Sequence, residues 1–129
     1  MADKYNLGAV HQGILATEIY NGKANDISLT YNLTQSYKNF KFLLVFVEVD
    51  NKISTHSNKT FTIVDVSSVD GNQNEFRVTL DNGKEYYTIQ FSLPTNTTFN
   101  INDAKSALST SSGTVSWKTP CIYKIVGIN

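Results

Sequence analysis

Apolar residues in this chain recur in short alternating runs about ten residues apart, separated by clusters of Gly, Asn, Asp and Ser. Alternation with a period of two places successive side chains on opposite faces of a strand. Many short strands at this spacing predict an all-β antiparallel sandwich, jelly-roll-like, with eight to nine strands. The first thirteen residues show no period and read as an N-terminal arm or attachment segment (1–13), followed by one sandwich domain (14–129). Strands are expected at Ile14–Tyr20, closed by a turn at Asn21-Gly22, and at Asp26–Tyr31, with Ile27, Leu29 and Tyr31 on one face. Asn32–Tyr37 is expected to be a polar connection with room for one helical turn.

The strongest segment is Asn39–Val49. Phe40, Phe42, Leu44, Phe46 and Glu48 share one phase; Lys41, Leu43, Val45, Val47 and Val49 share the other. Both phases are apolar in the middle, which predicts a strand covered on both sides. One side would be the core and the other a subunit contact, or else a site for a covering loop or the N-terminal arm. Asp50-Asn51-Lys52 reads as a turn. Thr60–Val66, Glu75–Leu80 and Tyr86–Leu93 follow as strands. Asp70-Gly71-Asn72 separates the first two, and Asp81-Asn82-Gly83 forms a hairpin turn that tolerates positive φ angles. Inward phases are expected to hold Phe76, Val78 and Leu80 in one strand and Tyr87, Ile89, Phe91 and Leu93 in the other. Pro94 is expected to stop the latter. Thr97–Ile101 reads as a short strand and Asn102–Leu108 as a brief helix, capped by Asn102 or Asp103. Thr114–Lys118 and Cys121–Ile128 complete the pattern. Phe40, Phe42, Phe46, Phe61, Phe76 and Phe91 are all expected in the core.

Composition narrows the function classes. Eleven basic and eleven acidic residues give a formal net charge of zero, and the lysines form no run. A nucleic-acid partner would call for a basic surplus, and an anionic membrane for a polybasic patch, so neither is expected. The one cysteine, Cys121, cannot build an intrachain disulfide and reads as a buried, inert thiol. Met1–Asn6 is not followed by an apolar stretch of signal-peptide type, and Phe42–Val47 is far too short to span a bilayer. The expectation is a soluble protein made in a reducing cytoplasm. The glycosylation-type triplets at Asn32, Asn58 and Asn96 then mark only polar loops.

No catalytic pattern stands out. His11 and His56 lie in polar stretches without a second metal ligand at useful spacing. There is no nucleophile elbow and no Gly-rich phosphate loop. Asp65 and Glu48 are acids within apolar strands, where a solvated or paired structural role is the ordinary one. The chain is therefore read as non-enzymatic, with no cofactor and no metal. Candidate ligand-binding residues are Tyr86, on the phase opposite Tyr87, together with Trp117, His56 and Ser111. They belong to or border the polar loops Ser54–Asn58 and Ser109–Ser112. An exposed Tyr or Trp ring beside Asn, Ser and Thr suits stacking against a sugar, while a Trp that plugs one end of the sandwich is the structural alternative.

Two stretches carry a resemblance. The segment Ile27–Phe46 contains Leu33-Thr34-Gln35-Ser36-Tyr37-Lys38-Asn39-Phe40-Lys41 and runs into a long apolar strand. The chain then ends in Ile122-Tyr123-Lys124-Ile125-Val126-Gly127-Ile128. Together, from about residue 25 onward, these resemble the terminal β-sandwich domains of bacteriophage tail-fibre, baseplate and head-fibre proteins. The resemblance implies a virion structural protein, made in the host cytoplasm, that forms a homo-oligomer, commonly a homotrimer. It implies contacts with other virion proteins and loops offered to a host-surface glycan or protein, as in receptor binding and host attachment. Capsid decoration is equally consistent with it. The alternative is a carbohydrate-binding module or lectin-like domain using Tyr86 and Trp117.

Overall fold

The computed structural model describes residues 15–49, 59–69, 74–81, 85–108 and 119–129. Eight strands run in chain order as β1 (Ala16–Ala24), β2 (Thr30–Asn32), β3 (Phe42–Glu48), β4 (Lys59–Asp65), β5 (Glu75–Asp81), β6 (Glu85–Thr95), β7 (Thr98–Leu108) and β8 (Cys121–Ile128). They form two four-stranded sheets, the first ordered β1-β8-β3-β4 and the second β2-β7-β6-β5. Every pairing is antiparallel. The expected all-β sandwich is present, with eight strands among the described residues.

Alternation decides what each strand buries. Leu43, Val45 and Val47 of β3 point inward, and Val49 just beyond its end is buried too. They face a row from β6 (Tyr87, Ile89, Phe91, Leu93) and Phe99 and Ile101 of β7. Ile19 of β1, Val78 and Leu80 of β5, and Ile122 and Ile125 of β8 close the layer between the sheets. Near one end Phe99 receives Tyr20 edge-on at 4.8 Å and stacks on Tyr31 at 5.2 Å. Such ring pairs add about 0.5–1.5 kcal/mol beyond the area they bury.

The β2–β3 connection stitches the sheets together. Leu33 N–H donates to Thr97 O at 2.8 Å, Thr34 N–H to Ile19 O at 2.8 Å, and Tyr37 N–H to Asn96 O at 2.9 Å. A 3₁₀ turn at Tyr37–Asn39 follows, capped by the Ser36 side chain; it starts only at the last residue of the stretch Asn32–Tyr37 where a helical turn is expected, and β3 starts at Phe42 rather than Asn39.

Several expectations need correction. Asn21-Gly22 does not end the first strand, because β1 continues to Ala24 and absorbs the irregularity as register shifts against β8. Asp26–Leu29 is a turn rather than strand. Asp26 Oδ1 accepts from both Ser28 N–H and Ser28 Oγ–H, and Ile27 is 67% exposed. Pro94 does not stop β6. It lies where β6 and β7 slip between Ser92 and Thr95, a place that asks no N–H of it. Asn102–Leu108 is strand, not helix. Seven residues cannot sustain a helix alone, whereas pairing with β6 gives the segment a ladder from Asp103 to Leu108. The extra residue at Asn102 is taken up as a bulge opposite Gln90 and Phe91. The turns expected at Asp50–Lys52, Asp70–Asn72 and Asn82-Gly83, the strand at Thr114–Lys118 and the arm 1–13 lie outside the described residues.

Candidate functional site

The two sheets differ sharply in what they turn outward. On the second sheet the outward phases of β5, β6 and β7 carry Glu75, Arg77, Thr79, Gln90, Ser92, Asn102, Asp103 and Lys105. Asn102 Nδ2 donates to Glu75 Oε2 at 2.9 Å, Ser92 Oγ donates to Asn102 Oδ1 at 3.2 Å, and Lys105 pairs with Asp103 at 3.1 Å. This is a solvated, hydrogen-bonded face.

The outward phase of the first sheet is apolar. Cross-strand neighbours Leu44 and Ile63, Phe46 and Phe61, Leu44 and Val126, and Phe42 and Ile128 line up over three strands. Phe42 is 42% exposed, Phe61 54% and Ile63 60%. The Phe46 ring lies 5.6 Å from Phe61 and 6.0 Å from Tyr123. Charges rim this patch. Lys124 Nζ sits 4.5 Å over the Phe46 ring, Lys59 Nζ lies 5.2 Å from the Tyr123 ring, and Lys59 pairs with Glu48 at 3.6 Å. A shallow apolar groove of about 480 Å³ extends the patch at the Phe42 end, lined by Phe40, Lys41, Phe42, Asp65, Val66 and Ser67.

The core assignment of Phe42, Phe46 and Phe61 is thus overturned. Their phase faces out, and the smaller Leu43, Val45, Val47 and Val64 face in. Phe40, Phe76 and Phe91 do belong to the core side. One sequence signal marks the outward phase. Lys59 and Asp65 share a phase with Phe61 and Ile63, and Glu48 shares one with Phe42, Leu44 and Phe46. A charge at the end of an apolar row is rarely buried unpaired, so the row that ends in charges is the outer one.

Both strand acids have structural partners. Asp65 Oδ1 accepts from Ser67 N–H at 3.0 Å and Ser67 Oγ–H at 2.7 Å, which starts the 3₁₀ turn Val66–Ser68. Glu48 takes the Lys59 ion pair. A second groove of about 410 Å³ brings Asp26 and Asp103 near Asn25 and Thr119. Its carboxylates are already engaged, Asp26 by Ser28 and Asp103 by Lys105. The Ser28 hydroxyl and N–H hold the Asp26 carboxyl below its usual range. Among the described residues no three of His, Cys, Asp and Glu converge, and no helix is long and apolar enough to cross a membrane.

Of the sequence-derived candidates, Tyr86 is half-buried on β6, on the phase opposite the fully buried Tyr87 and between Asp81 and Ala107 in register. Trp117, His56 and Ser111 lie outside the described residues, as do the loops 54–58 and 109–112. The alternation of Thr60–Val66 places Phe61 and Ile63 on one phase, opposed to Thr62, Val64 and Val66, and with Phe61 expected inward it hides both; the structure turns that phase outward. Comparison with protein-family models gives no match, and comparison with curated proteins gives none either.

Proposed function

We propose that this chain is a non-catalytic virion subunit of bacteriophage type. It joins copies of itself and neighbouring virion proteins through the outer face of the first sheet and offers its loops for host-surface attachment. The observation that carries the reading is the contrast between the two outer faces. A lone sandwich needs one buried layer, and here a second apolar row of Phe42, Leu44, Phe46, Phe61 and Ile63 lies outside it. Covering a Phe or Ile side chain fully is worth about 1.5–3 kcal/mol. A contiguous row of this kind with charges at its rim has the make-up of an interaction surface. The virion assignment draws on the resemblance of Ile27–Phe46 and Ile122–Ile128, and so does the role in attachment.

Light scattering on the chain tests the assembly. The expected mass is a multiple of 14.4 kDa, and Phe46→Glu, which puts a charge in the middle of the row, should lower it. Immunogold labelling of purified particles tests the placement, and unlabelled particles would overturn the virion role.

A further inference from the structure

Among the described residues the first sheet ends at β4, and the backbone there is laid out for a particular neighbour. Val66 N–H donates to Lys41 O at 3.0 Å, in line with the β3–β4 register that pairs Phe42 with Asp65. In an antiparallel ladder, residues alternate between bonding one neighbour and the other. Leu43–Val64, Val45–Thr62 and Val47–Thr60 are therefore the pairs bonded across β3–β4. The N–H and C=O of Phe61 and Ile63 point to the opposite side, where no strand lies among the described residues. The side chains of these same two residues are the most exposed of the apolar face.

Edges of this kind are ordinarily defended by proline, bulges, charges or shortness. Among the described residues the other edges are. β1 carries two register shifts with Glu18 and Lys23, β5 carries Glu75, Arg77 and Asp81, β2 has three residues, and the length of β7 beyond β2 carries a bulge at Asn102 with Asp103 and Lys105. β4 has an unbroken register against β3 and no proline, and its charges sit only at its two ends.

The geometry points to β4 as a pairing edge for a second copy of this chain, antiparallel, with the two-fold axis at Thr62. This rests on the self-assembling reading above and gives it a specific contact. Of the registers that oppose edge-facing residues, those with the longest overlap have axes at Phe61, Thr62 or Ile63. The Thr62 axis sets Phe61 against Ile63 of the second copy and Lys59 against Asp65, each twice by symmetry. Aromatic–β-branched and opposite-charge pairs are the favourable cross-strand combinations. An axis at Phe61 opposes Lys59 to Ile63, and one at Ile63 opposes Phe61 to Asp65. The strand Lys-Thr-Phe-Thr-Ile-Val-Asp is thus complementary to itself in one register. Two copies joined this way form one continuous sheet, isologous in contact, and lay their apolar outer faces side by side.

The experiment is sedimentation of the full chain over a concentration series, with Thr62→Cys as a register trap. Directly opposed, non-bonded positions bring Cα atoms to about 4.5 Å, within disulfide reach. Thr62→Cys should form a covalent dimer under mild oxidant, and Phe61→Cys should do so poorly. Asp65→Lys should weaken the dimer about tenfold, and adding Lys59→Asp together with Glu48→Lys, which keeps the β3–β4 ion pair in reverse, should restore it. Circular dichroism reports whether each charge variant folds, and the Thr62→Cys trap keeps the native charges. A trimer, or any oligomer without the Thr62 cross-link, overturns the β4 pairing and leaves self-assembly standing. A monomer at every concentration overturns both the β4 pairing and self-assembly.

Discussion

Gly127 of β8 shows how one residue can set a packing distance. A Cβ there would run into the ring of Phe40, which is itself buried and has nowhere to go. Gly127→Ala should cost about 1–3 kcal/mol through overpacking and lower the melting temperature by several degrees. A second residue-scale prediction concerns alkaline pH. Burial raises the Cys121 thiol above its ordinary 9.0, with Glu48 adding to the effect and Lys23 opposing it. Burial likewise raises the phenols of Tyr20, helped by Tyr31 and Cys121, and of Tyr37, above 10.0. A raised folded pKa means that the unfolded chain loses its proton first. This contribution is therefore complete below about pH 9 and is lost as pH rises through the folded values. Thermal melts should show stability falling above that point, and Cys121→Ser should remove the earliest part of the fall. The same burial should leave Cys121 slow toward thiol reagents until the chain unfolds.

Within strands, the two phases make separable predictions. Leu43→Ala removes fully buried methyl groups from β3 and should cost about 2–5 kcal/mol in denaturant unfolding. Ile63→Thr on β4 keeps a β-branched side chain at an exposed position and should change dilute, monomeric stability by less than about 0.5 kcal/mol. If the two costs proved equal, β4 would be covered in the free chain. Strands β3, β5, β6 and β8 were legible because their apolar rows alternate and are bounded by turn residues. β7 was not, because Asn102–Leu108 mixes polar and small residues whose local preference is weak. Its state is set by the uncovered edge and inner row of β6 beside it. β2 was overread for the opposite reason. Ile27 and Leu29 alternate, but the Asp26 carboxylate captures the Ser28 N–H and closes a turn before a ladder can form.

At the scale of the molecule, the decisive property is the unequal pair of outer faces. The polar face of the second sheet is internally paired and leaves little reason for a partner to cover it. On that face Tyr86 is the only ring projected outward among the described residues, so a sugar platform there would be a single stacking surface. Tyr86→Ala should therefore leave assembly unchanged by light scattering. Any glycan binding that depends on it would have to come from the loop end at Asp81 and Tyr86. The apolar face of the first sheet is a different case. It is continuous over β8, β3 and β4, and it ends on an edge whose backbone is unsatisfied by any described strand.

The sequence by itself determined the class of fold, the number of layers and most of the membership of each strand phase, because a strand's side-chain period is a local property of its backbone. It also showed that β3 is apolar on both phases. The charges at Glu48, Lys59 and Asp65 hint at which phase turns outward, but the choice is made by tertiary structure. Direction depends on which strands lie beside β3 and on where the second sheet packs, and both are long-range. Once β8 and β4 flank β3, the row of Leu43, Val45 and Val47 meets the second sheet, and Phe42, Leu44 and Phe46 are left outside with Phe61 and Ile63. The candidate site is that remainder. It could not be read from any one segment, because it exists only where three strands, distant in the chain, align their outward rows.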